Sequence, residues 1–183
     1  PQLAGERRRA RALCHAINAL PVGATDETAT QTASEKARLL SALFGRQVLA
    51  TITPPFYCDY GHNIVLGRNV YFNYDCVILD VCQVSIGNDT MFGPGVHIYT
   101  ATHPMSATVR RSGLELGAPV VIEDDVWVGG KTIVCPGVTI GARSVIGAGS
   151  VVTNDIPQAV LAAGNPCRVI RPLDDEAGDR HRP

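Results

Sequence analysis

The sequence has few aromatic residues and no long hydrophobic run. Aromatic side chains make up 5% of its 183 residues, and there is a single tryptophan. A membrane-spanning helix needs about 18 or more consecutive apolar residues, and no segment approaches that length. The chain also opens without the charged and apolar leader of a secreted protein. We therefore expect a cytoplasmic protein with no membrane partner.

Charge is also scarce and nearly balanced. Charged residues make up 18% of the chain and the formal net charge is -1, so the composition does not favour binding to nucleic acid. The cysteines include no Cys-x-x-Cys pair, which argues against a zinc knuckle or a redox pair, and we expect no metal. We expect most of them to pack as small apolar residues. The six are Cys14, Cys58, Cys76, Cys82, Cys135 and Cys167.

What the sequence does contain is an apolar residue at every sixth position over much of its length. A six-residue repeat is typical of a parallel β-helix, in which three hexads close one triangular coil and successive coils stack. The twelve hexads therefore predict a mainly β fold with about four coils. Their apolar residues are Leu66, Phe72, Ile78, Ile86, Phe92, Ile98, Ile122, Val128, Val134, Ile140, Ile146 and Val152.

Two helices are predicted before the repeat. The first covers residues 1–20, with a stripe of Ala10, Leu13, Ile17 and Leu20, and ends at Pro21 and Gly23. The second begins at a capping box, Thr32-Ala33-Ser34-Glu35, and ends at Gly45. The predicted organisation is a helical region 1–47, a β-helix 48–157 with an excursion at about 103–118, a C-terminal segment 158–173 and a mobile tail 174–183.

The repeat is interrupted at two places, and such loops often carry function. Two extra residues enter around Asp80 to Gln83, and the repeat disappears after Thr102. His103 stands where the second interruption begins. An imidazole there can take a proton from an alcohol near neutral pH. A loop histidine without a catalytic role is the alternative interpretation.

Five segments occur in an order that resembles the maltose and galactoside O-acetyltransferases of the hexapeptide-repeat superfamily. The maltose acetyltransferase pattern fits best, and the resemblance runs from about Glu6 to Leu173. The five segments are residues 73–80 (NYDCVILD), 95–104 (GVHIYTATHP), 126–130 (VWVGG), 136–141 (PGVTIG) and 164–168 (GNPCR).

The resemblance implies a homotrimer of left-handed β-helices that binds acetyl-CoA between subunits and acetylates a small sugar. His103 matches the general base, which activates a sugar hydroxyl for direct attack on the thioester. Asn73 matches a residue that orients the reacting groups, and Trp127 matches an aromatic lining the pantetheine channel. The alternative for Asn73 is a structural role at a corner of the coil, and the alternative for Trp127 is packing on the surface of the coil. Glu115 is a candidate to orient or charge-stabilise His103, with a solvated surface position as the alternative.

The resemblance also implies binding residues for both substrates. The backbone N–H of Gly130 would stabilise the oxyanion, while Ala148, Thr153 and Asn154 would line the CoA groove. Arg168 and Arg171 would lie near the 3′-phosphate. Arg7 and Asp80 would contact the acceptor. For Arg7, a solvated position on the helix face is the alternative interpretation.

The chain departs from the family pattern at three positions. Relatives often carry Lys where Asn154 stands, and galactoside enzymes have a second acidic residue where Val81 follows Asp80. An acidic partner of Arg7 would precede Pro1, so we expect that a segment carrying it is missing. The sequence therefore does not identify the acceptor sugar or alcohol.

Two other classes of function compete with the acetyltransferase. His62, His97 and His103 have a spacing near that of zinc-dependent β-helix carbonic anhydrases, although those enzymes use a five-residue step where this chain has six. A non-catalytic hexapeptide scaffold is the second alternative. Acetylation of a nodulation-type oligosaccharide or an antibiotic would use the same donor chemistry.

Overall fold

A computed structural model describes residues 2–22 and 25–173 of the chain. Two predictions therefore lie outside the described residues. These are the mobile tail at 174–183 and the role of Gly23 in ending the first helix.

The two N-terminal helices are Gln2–Asn18 (α1) and Asp26–Phe44 (α2). The predicted start of α2 was wrong, because Thr25 and Thr28 form the capping box and Thr32 to Glu35 lie inside the helix. The predicted end is confirmed by Gly45, which adopts the left-handed conformation with φ 69°. No helix within residues 2–22 and 25–173 is long and apolar enough to cross a membrane.

Helix α1 packs on α2 and on the first coil of the β-helix. Ala10, Cys14 and Ile17 form its buried stripe, whereas Leu13 and Leu20 are only partly buried. The predicted stripe was therefore wrong by one position in the middle turn, since the buried spacing of four and three residues runs through Cys14.

Most of the remaining chain forms short strands that stack in parallel, while β9 with β10 and β17 with β18 pair antiparallel. The strands are β1 (Ala50–Ile52), β2 (Phe56–Cys58), β3 (Ile64–Leu66), β4 (Val70–Phe72), β5 (Cys76–Leu79), β6 (Val84–Ile86), β7 (Met91–Phe92), β8 (His97–Tyr99), β9 (Ala101–Thr102), β10 (Leu116–Gly117), β11 (Val120–Ile122), β12 (Trp127–Val128), β13 (Ile133–Val134), β14 (Thr139–Ile140), β15 (Val145–Ile146), β16 (Val151–Val152), β17 (Val160–Ala163) and β18 (Arg168–Pro172). A short helix, Ala107–Arg110 (α3), lies between β9 and β10.

Three sheets form the sides of the β-helix. Sheet I has the order β1-β4-β7-β12-β15-β17-β18, sheet II has β2-β5-β8-β13-β16, and sheet III has β3-β6-β11-β14. The inward residues stack in register, as in Phe72 on Phe92 and Ile78 on Ile98. All twelve apolar hexad positions except Leu66 are buried. The parallel β-helix predicted from the repeat is confirmed.

The column has about six coils rather than the predicted four. The segment from residue 48 to 62, which looked irregular in the sequence, already forms the first coil through β1 and β2. Its residues Ile52 and Cys58 are buried, lie six positions apart and pair in register with Phe72 and Ile78 of the next coil. The six-residue period therefore continues there, but a cysteine at the aliphatic position and the intervening Pro54-Pro55 hide it in the sequence. Strand β17 adds to sheet I at the other end of the column.

An aromatic column joins the helical region to the coils. The rings of Phe72 and Phe92 stack with centroids 4.5 Å apart, and Phe56 meets Phe72 edge-on at 5.6 Å. Phe44 of α2 lies 6.3 Å from Phe56. Such contacts add to the hydrophobic effect of burial. They fix the helical region against the first coil, and so fix the position of α1 relative to the repeat.

The excursion leaves the column as an arm, which we define as residues 101–117. Its two ends pair as the antiparallel strands β9 and β10, with Thr102 opposite Leu116. The backbone N–H of Ala118 donates to the carbonyl of Thr100 at 2.9 Å, which closes the base of the arm. The arm therefore returns the chain to the column at a fixed point between sheets II and III.

Candidate active site

Arg7 connects α1, the first coil and the arm. Its Nη2 atom donates a hydrogen bond to Oε2 of Glu115 at 3.0 Å. Its Nε atom lies 3.9 Å from Oδ1 of Asp59, and its guanidinium carbon lies 5.1 Å from the ring centre of Tyr60. Three separate parts of the chain thus meet at one cation.

The Arg7 side chain is partly buried and lies between two negatively charged carboxylates. Burial opposes its charge, but the hydrogen bond that it donates to Glu115 and the negative charge of Asp59 outweigh that effect and raise the pKa of Arg7. Its Nε atom is buried without a hydrogen-bond partner among the described residues. The nearest carboxylate oxygen, Oδ1 of Asp59 at 3.9 Å, is beyond hydrogen-bond distance, so this donor is unsatisfied among the described residues.

Asp80 fixes the backbone next to the group formed by Arg7, Asp59, Tyr60 and Glu115, which we call the Arg7 cluster. Its Oδ1 atom accepts hydrogen bonds from the backbone N–H groups of Asp59 (3.0 Å) and Tyr60 (2.9 Å), and its Oδ2 atom accepts one from Gly61 (2.7 Å). Burial raises the pKa of Asp80, and these three hydrogen bonds act in the opposite direction. Asp80 is 0% exposed. It therefore presents no surface to an acceptor in the single chain, and its contacts are those of a residue that fixes the segment 59–61.

His103 lies at the base of the arm and is exposed. Its Nδ1 atom is 3.4 Å from the carbonyl oxygen of Leu114. A carbonyl only accepts hydrogen bonds, so this contact favours the tautomer with the proton on Nδ1 and the lone pair on Nε2. The Glu115 carboxylate binds Arg7 instead of the imidazole. The orienting partner that the geometry offers His103 is thus a main-chain carbonyl.

A cavity of about 290 Å³ lies beside Glu115. Its wall comes from α1, from the end of the first coil, from the insertion in the repeat and from strand β10. The lining residues are Leu3, Glu6, Tyr60, His62, Asn63, Val81, Cys82, Glu115, Leu116 and Gly117. The helical region, the insertion in the repeat and the arm, which all lie outside the regular hexads, therefore converge on one cavity with a polar rim.

A second group of candidates follows the corner between sheets I and II. Asn73, Gly130 and Ala148 each come shortly after a strand of sheet I, on different coils. The carbonyl oxygen of the Asn73 side chain accepts from the N–H of Tyr74 at 2.8 Å. Among the described residues none accepts a hydrogen bond from the backbone N–H of Gly130. This N–H is thus free to donate to a ligand.

Glycine is required along this corner because the coils approach closely. A Cβ atom on Gly129 would lie 2.6 Å from the backbone nitrogen of Ala148. A Cβ atom on Gly130 would lie 3.0 Å from the carbonyl oxygen of Pro94. The small residues therefore leave the main chain of this corner bare.

The remaining candidates lie on outer surfaces of the column. Trp127 points outward from sheet I, between Met91 and Val145 of the neighbouring strands, and is 48% exposed. Thr153 and Asn154 are exposed and follow the last strand of sheet II. The structure also places two exposed arginines, Arg168 and Arg171, on strand β18 at the end of the column.

The structure brings together only part of the predicted site. Arg7, Glu115 and His103 lie around the base of the arm, whereas Asn73 and Gly130 lie at the corner between sheets I and II. His103 follows sheet II and precedes sheet III, so a different corner separates it from Asn73. In one chain the predicted site residues therefore form two separate groups, which we call the two candidate half-sites.

Sequence reasoning missed Asp59, Tyr60 and Leu114. The first two lie in the coil whose repeat is hidden, and Leu114 acts through its carbonyl, which leaves no trace in a sequence. Within residues 2–22 and 25–173, no group of three or more His, Cys, Asp or Glu is arranged to hold a metal ion. The histidines considered for a zinc site, His62, His97 and His103, do not form one there.

Comparison with known proteins matches two parts of the chain to described families. Residues 1–47 match the maltose acetyltransferase hexapeptide capping motif. Residues 119–154 match the bacterial transferase hexapeptide, described as six repeats. The first match covers the helical region, and the second covers the regular part of the column after the arm.

Three solved structures are similar over nearly the whole chain. A maltose O-acetyltransferase from Clostridium difficile 630 is 43% identical, with a TM-score of 0.85 over 96% of this chain and 90% of that one. An acetyltransferase with hexapeptide repeats from Vibrio cholerae O1 biovar eltor, complexed with acetyl coenzyme A, is 36% identical, with a TM-score of 0.83 over 96% and 91%. A galactoside acetyltransferase in complex with coenzyme A is 35% identical, with a TM-score of 0.82 over 94% and 83%.

Replacement of Asp80 by Asn tests its structural role. We expect the change to lower the free energy of unfolding by about 1–3 kcal/mol, because an amide nitrogen would face one of the three N–H donors and leave it unsatisfied. Denaturant unfolding measures the loss. Asp75→Asn is the matched control, since Asp75 is exposed and its φ of 61° is one that Asn also tolerates. Equal effects of the two changes would contradict this role.

Proposed function

The chain belongs to the maltose and galactoside O-acetyltransferase family of hexapeptide-repeat transferases, and we propose that it transfers an acetyl group from acetyl-CoA to a hydroxyl of a small, maltose- or glucose-like sugar. The observation that carries the proposal is the convergence of α1, the insertion and the arm on a cavity of about 290 Å³ that is lined by Glu115. Glu115 is the chain neighbour of Leu114, whose carbonyl contacts the candidate base. The donor is the acetyl-CoA that similar acetyltransferases bind.

In the proposed reaction His103 acts as a general base. The Nε2 atom takes the proton of a sugar hydroxyl while the sugar oxygen attacks the carbonyl carbon of the thioester. The new C–O bond gives a tetrahedral oxyanion, whose collapse breaks the C–S bond. The leaving thiolate of CoA then takes the proton from the imidazolium. Positioned proton transfer of this kind contributes about 10²–10⁴ in rate.

The oxyanion needs a hydrogen-bond donor at the position where the charge develops. We assign this role to the backbone N–H of Gly130, which has no acceptor among the described residues. The side-chain nitrogen of Asn73 is a second donor near the same corner, because the side-chain oxygen is occupied by the N–H of Tyr74. A donor fixed in the main chain needs no reorganisation during the reaction.

We propose that the enzyme is a homotrimer whose sites lie between subunits. The separation of the two half-sites supports this, since His103 and Asn73 occupy different corners of one column. An exposed apolar pair on the outer face of sheet I also supports it, because contiguous apolar surface marks interfaces. Met91 and Trp127 are neighbours in this sheet, and both are exposed.

We assign the CoA groove to the corner and outer-face residues that extend from the reaction centre to the end of the column. Ala148, Thr153 and Asn154 would line it, and Trp127 would contact the pantetheine arm. Arg168 and Arg171 would bind the 3′-phosphate. Both arginines are exposed, and each donates a hydrogen bond to a nearby backbone carbonyl, that of Cys167 or Pro172.

Release of the CoA thiol in the presence of glucosides, maltosides and galactosides tests the reaction. We expect turnover with at least one acceptor, and we expect His103→Ala to lose about 10²–10⁴ of kcat, because the general base is removed. His15→Ala is the control, since His15 is exposed on α1 and should retain the native rate. Sedimentation checks that both variants keep the native assembly. Absence of thiol release across the panel would favour the non-catalytic scaffold, and stoichiometric zinc would favour the anhydrase.

The CoA assignment is tested with two donors that differ in a single phosphate. We expect Arg168→Ala with Arg171→Ala to raise KM for acetyl-CoA about 10-fold, because charge-assisted contacts to the 3′-phosphate are lost. The KM for acetyl-dephospho-CoA, which lacks that phosphate, should stay unchanged. Arg143→Ala is a control on another corner. An equal rise of KM for both donors would show that the two arginines do not bind the 3′-phosphate.

A further inference from the structure

The ion pair between Arg7 and Glu115 joins residues 108 positions apart in the chain. It fastens the arm to α1 directly beside Leu114, whose carbonyl contacts His103. We propose that this pair positions the general base: by holding the arm it holds the Leu114 carbonyl against Nδ1 of His103 and keeps Nε2 free to take the proton. The inference rests on the proposed function and assigns two positioning residues to it.

The Arg7 end of the pair is rigidly held. Arg7 projects from a helix whose buried stripe packs on the first coil. Its guanidinium also contacts the Tyr60 ring and lies near Asp59. Asp80 fixes both of those residues through their backbone N–H groups. The cation thus occupies a place determined by a buried carboxylate in the column, and not by flexible surface contacts.

The arm has little to hold it in place by itself. Its two strands pair over two residues on each side, and residues 105–117 are all exposed. A segment with so little burial is expected to open locally at low free energy. A displacement of about 1 Å at a reacting group can reduce the rate 10²-fold. A contact that ties Glu115 to a rigid cation therefore acts directly on the position of its neighbour Leu114.

The tautomer of the His103 ring directly reports whether the ion pair between Arg7 and Glu115 positions the imidazole. Nitrogen-15 NMR of the full-length protein distinguishes the two neutral ring forms, and His103→Gln identifies the His103 signals. We expect the native protein to carry the proton mainly on Nδ1. Arg7→Gln and Glu115→Gln should each move the population toward the form with the proton on Nε2, because the carbonyl contact loosens. Arg7→Lys, which keeps a cation within reach of Glu115, should restore much of the native population.

Arg8→Gln is the matched control. Arg8 lies on the same helix, is exposed, and loses the same charge in this variant. We expect it to leave both the tautomer and the kinetics unchanged. If Arg8→Gln shifted the tautomer as far as Arg7→Gln does, a general effect of charge would explain the shift, and the proposed positioning role of Arg7 would be wrong.

Kinetics separate positioning from direct binding of the acceptor. We expect Arg7→Gln and Glu115→Gln to lower kcat about 10- to 100-fold, with KM for the acceptor changed by less than about twofold. A large rise in KM with kcat unchanged would overturn the inference, since it would mean that these residues bind the sugar. An unchanged His103 tautomer in both variants would also overturn it. The NMR result stands even if no acceptor supports turnover, which distinguishes failure of this inference from failure of the proposed function.

Discussion

Backbone hydrogen bonds between successive coils determine where every other element of the fold is placed. Along sheet II, for example, the N–H of Val77 donates to Val96, that of His97 to Thr132, and that of Ile133 to Ser150. This pairing sets the register of each coil on the next, so that alternate residues point inward and outward at fixed heights. It also determines that Gly130 and Ala148 occupy the same corner on different coils. A repeat that specifies only packing thereby aligns residues distant in sequence.

The candidate base and its neighbours lie where that regular pairing stops. The arm leaves the column between sheets II and III, and its strands β9 and β10 pair only with each other. The insertion that follows Asp80 brings that carboxylate under the segment 59–61, where it accepts three N–H groups. Both irregularities meet α1 at the Arg7 cluster. The column thus acts as a rigid base, and a few polar contacts across its edge determine where the imidazole lies.

The sequence allowed the sheets to be predicted because each hexad repeats a local requirement for one inward aliphatic residue and one tight corner. It failed where that requirement is met in another way. In the first coil Cys58 takes the inward position that Ile78 takes in the next coil. Helix α2 begins at a cap formed by two threonines instead of the Ser/Thr and Glu pattern that lies further along. The site was predictable only residue by residue, through resemblance. The partner of Glu115 is remote in sequence, and the partner of His103 is a carbonyl, so neither could be read from spacing.

We propose that two corners of neighbouring chains combine into one acetyl-transfer site, and mixed assemblies of two variants test this arrangement. His103→Ala and Asn73→Ala subunits, each with little activity alone, are unfolded together, refolded as a mixture and assayed for acetyl transfer. If His103 of one subunit works with Asn73 of the next, random mixing restores roughly a quarter of the native sites. Activity no greater than that of the two separate variants would contradict the account.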